Sequence, residues 1–277
     1  MAIPIISNWQ HYFDNPNEGL GSSYERIILN MKLMEMINRF NVQSILEAPS
    51  FGFTGVSGIN SMGLAKNGKD ITLIDNNLNR LKQIELIWQE MNLPLETVYS
   101  SDFTKINLPD NSHDMSWNFS ALWFTVDLSL FLAELVRITR KIILLCVPNR
   151  TGLGYISQKL FSPKDSFAGV MESNIHPSNF LRIMAELGWH LRDSGYLDCP
   201  PWPDIGMPKE ELLARFGLKF MLKKKKSAPL SILNYYSGKD VDFKNRMLKY
   251  YGFEKSLPVI LKRFWAHHRY FMFLPNE

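Results

Sequence analysis

Cysteine is scarce in this chain: Cys146 and Cys199 are the only two in 277 residues. One lies in an apolar strand-like run and the other beside a proline pair, so neither a disulfide framework nor metal-ligand spacing is present. Long apolar runs are also missing. Stretches such as Ile142–Val147 have the length of a strand and fall far short of a bilayer crossing. The opening residues, Met1 to Ile6, carry no basic leader and no extended apolar region, which predicts a cytoplasmic address. Charge of one sign is weak as well. The net charge is +4, and its densest source, Lys223–Lys226, reads as a solvated loop, which argues against a nucleic-acid partner.

What is present is ordinary for a globular protein, with 45% hydrophobic and 21% charged residues. This length supports one large domain or a domain carrying an insertion. Short β-branched runs alternate with helical patterns, the signal of a parallel sheet covered on both faces. Ser22 with Glu25 forms a capping-box pattern ahead of Tyr24, Ile27, Ile28, Met31 and Met34 at helical spacing, which predicts a first helix starting at Ser22. Strands are predicted at Ser44–Glu47, Ile71–Asp75, Glu96–Tyr99, His113–Asn118, Lys141–Val147, Trp189–Tyr196 and Phe264–Leu274. Helices are predicted after Asn77, over Asp127–Thr139 and from Pro177 to Gly188, where a proline opens and a glycine closes the element.

The turn after the first strand, Pro49 to Gly58, contains Gly52 and Gly55. Glycine permits close backbone approach to a ligand because it lacks a Cβ and tolerates positive φ. Asp75 ends the second strand 20 residues beyond Gly55, where nucleotide-binding doubly wound folds place a carboxylate against ribose hydroxyls. A nicotinamide dinucleotide would need G-x-G-x-x-G spacing, and Phe51-Gly52-Phe53-Thr54-Gly55 lacks it.

The order of these signals resembles that of the class I S-adenosylmethionine-dependent methyltransferases, particularly their small-molecule group. The resemblance runs from Ser44 to Tyr196 and again over Phe264–Leu274. It rests on Ser44-Ile45-Leu46-Glu47 with its glycine turn, on Ser101-Asp102-Phe103 and on Leu108 to Asp114. The helix-turn-strand Leu135 to Asn149 and the junction Ala185-Glu186-Leu187-Gly188-Trp189 complete it. Pro49, Phe51 and Phe53 stand where the family more often has glycine, and Thr139-Arg140-Lys141 replaces its Pro-Gly-Gly. The resemblance implies an α/β, Rossmann-like doubly wound, mostly parallel seven-stranded sheet with an insertion between strands six and seven. It implies S-adenosylmethionine as cofactor and S-adenosylhomocysteine as product, bound by Glu47, Gly52, Gly55, Asp75, Asn76, Asp102, Phe103 and Asn118. Asp102 inherits the family's hydrogen bond from the adenine amino group, whereas Asp114 is a structural acid.

Methyl transfer demands mainly in-line alignment of the acceptor, so a base is optional. His176, before Pro177, is the candidate general base, and Asn118 faces the donor or the acceptor. Phe51, Phe53, Trp117 and Trp123 either flank the sulfonium or belong to the core. His267 and His268 fall in the predicted last strand, where alternation sends them to opposite faces, and no metal site is predicted. Residues 1–43 read as an arm and helix, and residues 44–277 as the methyltransferase domain. Within that domain, 197–263 form an aromatic-rich insertion covering the substrate, with predicted helices at Lys209–Phe216 and Phe243–Tyr251. The expected partner is a small-molecule or lipid-like acceptor, without a membrane span. A catalytically inactive nucleotide-binding or regulatory module and an NAD(P)-dependent dehydrogenase are the alternatives.

Overall fold

The computed structural model describes residues 9–161, 169–202 and 230–276. Among them, seven strands form one sheet in the order β3-β2-β1-β4-β5-β7-β6. They are β1 (Ser44–Glu47), β2 (Asp70–Asp75), β3 (Glu96–Tyr99), β4 (His113–Phe119), β5 (Thr139–Pro148), β6 (Trp189–Leu197) and β7 (His268–Pro275). β1 pairs in parallel with both β2 and β4. β7 lies between β5 and β6 and is antiparallel to both. β5 is apolar on both faces over Ile142–Val147 because both faces are covered. In β5, Ile142, Leu144 and Cys146 join one core while Ile143, Leu145 and Val147 join the other.

The first face is covered by α2 (Gly19–Arg39), α3 (Met62–Ala65) and α4 (Leu78–Glu90). α5 (Leu128–Ile138) and α7 (Pro177–Glu186) cover the second, with Phe131, Leu135, Phe180 and Met184 fully buried beneath them. A short α1 (Trp9–Asp14) precedes α2, and α6 (Leu153–Phe161) follows β5. Asn77 and Asp127 cap α4 and α5 by accepting Arg80 N–H and Leu130 N–H, each at 3.0 Å, which fixes where each helix leaves the sheet.

Three sequence expectations shift. α2 begins at Gly19 rather than Ser22, because Asn17 Oδ1 accepts the Gly19 N–H at 3.3 Å and starts the helix earlier. The run Phe264–Leu274 is not all strand. Phe264 and Trp265 finish the helix Val259–Trp265, Ala266 turns extended at φ −64 and ψ 144, and β7 starts at His268. The helix over Phe243–Tyr251 breaks into Phe243–Leu248 and Tyr251–Ser256. The predicted helix Lys209–Phe216 and the run Lys223–Lys226 lie outside the described residues. Among the described residues, no helix is long and apolar enough to cross a membrane.

The topology decides what meets at one edge. The carboxyl ends of β1, β2, β4, β5 and β6 all point there, and antiparallel β7 begins there. Ligands of open α/β sheets approach this edge.

Candidate active site

The turn after β1 is held tightly against the end of β4. A Cβ on Gly52 would stand 2.2 Å from the Phe119 carbonyl oxygen, and Gly52 has φ +115. Only glycine fits both constraints. Gly55, at φ +128, is covered instead by a side chain, since its Cβ would meet Glu18 Oε1 at 2.4 Å. Glu18 accepts the Val56 N–H at 3.0 Å and pairs with buried Arg26. Arg26 also reaches Asn60 and lies 4.0 Å above the Phe53 ring. A residue ahead of α2 thereby occupies the backbone of the glycine turn.

Glu47 ends β1 and is 1% exposed. Its carboxylate accepts Asn60 Nδ2 at 3.0 Å and Ser61 Oγ at 2.5 Å. Burial pushes its pKa up to about 7, against the lowering effect of Ser61, Asn60 and Arg26. Both oxygens are thus spent on shaping the turn from within.

Asp75 ends β2, fully buried. Arg80 donates to it twice, from Nε at 2.8 Å and Nη2 at 2.6 Å. Ser50 Oγ at 2.5 Å and Asn77 N–H at 2.8 Å complete four hydrogen bonds to its two oxygens. Arg80 is 1% exposed and stacks 4.6 Å over Phe51, a ring that also touches Phe103 and Phe124. Exposed Asn76 accepts Arg80 Nη2 at 3.1 Å. The bulky turn residue Phe51 therefore packs where the β1, β2 and β4 ends converge. Asp102 is exposed, and its Oδ1 accepts Thr104 N–H at 3.0 Å and Oγ1 at 2.9 Å, which hold its carboxyl below the usual range. Phe103, at φ +63, is buried against Phe131.

Asn118 stands at the end of β4, fully buried, and neither its Oδ1 nor its Nδ2 has a hydrogen-bond partner among the described residues. Ser120 Oγ and Trp123 Nε1, just beyond it, are buried and unpartnered too. Unmet polar groups in a core are costly and rare, so their grouping marks a place for a polar ligand or water. His176 precedes α7, exposed, with Nδ1 2.6 Å from Ser178 Oγ. Of the four aromatic candidates, Phe53 and Trp117 sit in one core and Phe51 and Trp123 in the other.

A second polar cluster at this edge was missed in the sequence. Asp198, directly after β6 at φ +61, contacts His267 Nδ1, and His268 Nδ1 lies 2.6 Å from Glu25 Oε1 of α2. The strand-alternation argument for the two histidines fails because His267 precedes β7. Both rings consequently turn toward carboxylates of one cluster. Burial works against charge on Glu25, yet His268 and His267 hold its carboxyl below the usual range. Burial raises the Asp198 carboxyl, with Glu25 adding to the shift. The cluster adjoins the glycine turn through rings: His268 lies 4.4 Å from Phe119, which lies 5.2 Å from Phe53.

Comparison with known proteins agrees with this geometry. The sequence profile of the methyltransferase domain matches residues 53–144. No curated protein matches the chain. Among solved structures, a candidate sarcosine dimethylglycine methyltransferase from Galdieria sulphuraria is similar, with a TM-score of 0.54 at 13% identity, over 89% of this chain and 85% of that one. The [4+2]-cyclase SpnF superposes with a TM-score of 0.53 at 12% identity, covering 89% of this chain and 80% of its own. Strand order and domain match together define the class I Rossmann-like fold carrying an S-adenosylmethionine-dependent methyltransferase domain. Residues 53–144 carry the matched domain, from the glycine turn to the middle of β5.

Proposed function

We propose that the chain transfers a methyl group from S-adenosylmethionine to a small or lipid-like acceptor. In this reading the cofactor lies along the carboxyl ends of β1, β2 and β4, and the acceptor lies beside β4, β5 and β7. The observation that carries it is Asn118, whose two polar atoms are buried and unpartnered one residue before the carbonyl that Gly52 approaches. S-adenosylmethionine, when bound, supplies a sulfonium whose methyl carbon is open to in-line attack, so the protein's task is alignment. The likeness to a cyclase concerns the fold alone, and the activity rests on the domain match and on this site.

Each cofactor residue then has a role its surroundings support. Asn118 meets a polar group of the cofactor or acceptor. Gly52 keeps the turn against β4, and Gly55 lets Glu18 close over it. Glu47 acts through the turn it holds rather than by direct contact. Asp102 spends Oδ1 on Thr104, which leaves Oδ2 for the adenine amino group beside Phe103. Asp75 is the demanding case, because a carboxylate has about four acceptor sites and all are in use. A ribose hydroxyl must replace Ser50 or Arg80 there, with Asn76 at the rim. Where the acceptor needs deprotonation, exposed His176 is the base in this reading.

The apolar character of the acceptor is supported at the rim. Leu153 and Ile156 of α6, and Val259 and Ile260 of the helix before β7, are exposed by 48%, 43%, 72% and 69%. The described residues between β6 and β7, 198–202 and 230–267, act as the cover. Of these, Trp202 and Tyr250 pack edge-on against Tyr24 of α2, and Tyr24 donates to Glu254 at 2.7 Å. Residues 9–43 cover the cofactor end, with Trp9 of α1 6.0 Å from Arg80.

Calorimetric titration with S-adenosylmethionine, S-adenosylhomocysteine and the nicotinamide dinucleotides tests the reading. The first two bind and the dinucleotides do not. Asn118→Leu weakens the bound pair by about tenfold, the worth of one buried hydrogen bond at about 1.4 kcal/mol. A folded Asn118→Leu variant with wild-type affinity removes Asn118 from the site.

A further inference from the structure

The mixed cluster formed by Glu25, Asp198 and His268 is the strongest feature left unexplained by methyl transfer. We propose that these three residues form a binding site for a divalent transition-metal ion, at the β7 end of the ligand edge.

Geometry is the first support. One oxygen of each carboxylate and one ring nitrogen of His268 all lie within 4.8 Å of one another. A single ion with bonds of about 2.0–2.2 Å to nitrogen and oxygen reaches all three after small side-chain rotations. His268 and Asp198 are 4% and 3% exposed, and the Glu25 side chain is 12% exposed.

Unmet bonding capacity is the second. Glu25 Oε1 and His268 Nδ1 are 2.6 Å apart as an ion pair, and neither atom has any further partner among the described residues. Asp198 Oδ1 is buried and has no partner either. An unpartnered buried carboxylate oxygen beside a carboxylate–imidazole pair leaves three lone-pair-bearing groups around a shared point.

Charge and donor type select the ligand. Ion pairs among the described residues give Glu25 and Asp198 no lysine or arginine. Two buried carboxylates need compensation; the histidines supply part of it, and a dication would supply it in full with the imidazoles neutral. Magnesium and calcium favour all-oxygen sites, whereas an imidazole nitrogen with two carboxylates suits zinc, manganese or iron.

The supports around the cluster are those of a built site. Asp198 gives Oδ2 to His267 Nδ1, an outer contact that directs Oδ1 inward, as orienting partners of metal ligands do. The backbone is pinned as well. His267 N–H donates to the Asp198 carbonyl at 3.0 Å, and Asn149 N–H donates to the His267 carbonyl at 2.8 Å. Phe119 packs on the His268 ring at 4.4 Å. An ion here ties α2 to the ends of β6 and β7, which nothing in the methyl-transfer reading requires.

The test uses the full chain, stripped with a chelator and dialysed. Zinc titrated by calorimetry is expected to bind one equivalent at micromolar or lower concentration and to raise the melting temperature. Cobalt added to the wild type is expected to give visible ligand-field absorption that zinc abolishes. His268→Asn and Asp198→Asn each weaken zinc binding at least tenfold, while His190→Gln, an exposed histidine elsewhere, leaves it unchanged. Absence of both zinc binding and cobalt absorption in the wild type overturns the proposal, even if the variants fail to fold. Full zinc affinity in folded His268→Asn and Asp198→Asn overturns it too, because the ion then sits elsewhere.

Discussion

Two charged clusters stand at the same edge of the sheet, and they differ in how far their bonding capacity is used. At the end of β2, Asp75 receives four hydrogen bonds, two of them from one guanidinium. At the start of β7, Glu25, Asp198 and His268 crowd together with atoms left unpartnered. Both clusters are buried, so burial alone does not separate a structural charge from a ligand site. Completeness of hydrogen bonding does, because an unsatisfied buried group costs free energy that a ligand can return. The β2 cluster is accordingly expected to govern stability even though Asp75 also meets the ribose in the proposed reading, and the β7 cluster and Asn118 to act chiefly on binding.

The comparison is broken most directly at Arg80. Arg80→Met leaves Asp75 buried with Ser50 and Asn77 as its remaining donors, and should destabilise the fold by about 3–5 kcal/mol. Urea unfolding measures this, and Asp75→Leu added to Arg80→Met should recover much of the loss. A single variant as stable as the wild type would show that the β2 cluster is not a closed structural unit.

Glu47 gives the next largest effect through pH. Its folded pKa of about 7 lies above the ordinary carboxylate value of 4.5, so the folded chain holds a proton that the unfolded chain has released. The stabilising contribution is full below pH 4.5 and is lost as pH rises through about 7. Glu47→Gln should flatten the wild-type decline between pH 4 and pH 8, a difference on the order of 3 kcal/mol. An unchanged pH profile would place the titration elsewhere.

Gly52→Ala is expected to cost about 1–3 kcal/mol, from positive φ and from the collision with the Phe119 carbonyl. Gly55→Ala pays the same backbone strain, but its clash is with the carboxylate of Glu18, a side chain that can swing away. Thermal melts of the pair should rank Gly52→Ala as the more damaged. The smallest change belongs to Asn118→Leu, which breaks no protein hydrogen bond and should stay within about 1 kcal/mol of the wild type. A larger loss there would mean that Asn118 is structural.

The sheet was legible in the sequence because a strand covered on both faces is apolar on both, and Ile142–Val147 of β5 reads that way, whereas β4 is buried throughout yet carries His113, Asp114, Ser116 and Asn118. Helix starts were less legible. The Ser22 pattern is sound locally, but Asn17 reaches the backbone first. Asp75 could be placed at the end of β2, although its partner could not. Arg80 lies five positions on, and it turns inward only because Asn77 caps α4 at that angle. The β7 cluster was hidden for a different reason. Asp198 and His268 are 70 positions apart, and they meet because Leu197 pairs with His268 across antiparallel strands. No local pattern encodes that pairing, and the assumption that His267 lay inside the strand pointed away from it.

The interior place of β7 also constrains how the chain can be made. Residues 268–275 are made after the other six strands, yet they fill the slot between β5 and β6. Until they leave the ribosome, Ile142–Val147 has no neighbour on one side, which leaves an apolar strand edge open to pairing with other chains. Closing that slot joins β5 to β7 across a sequence separation of more than 120 residues, from Val147–Arg269 to Ile143–Phe273, and contacts of this range form slowly. Nascent chains halted before β7 should therefore require chaperone protection that the finished protein does not, and ribosome-bound chains ending near residue 265 should aggregate on release.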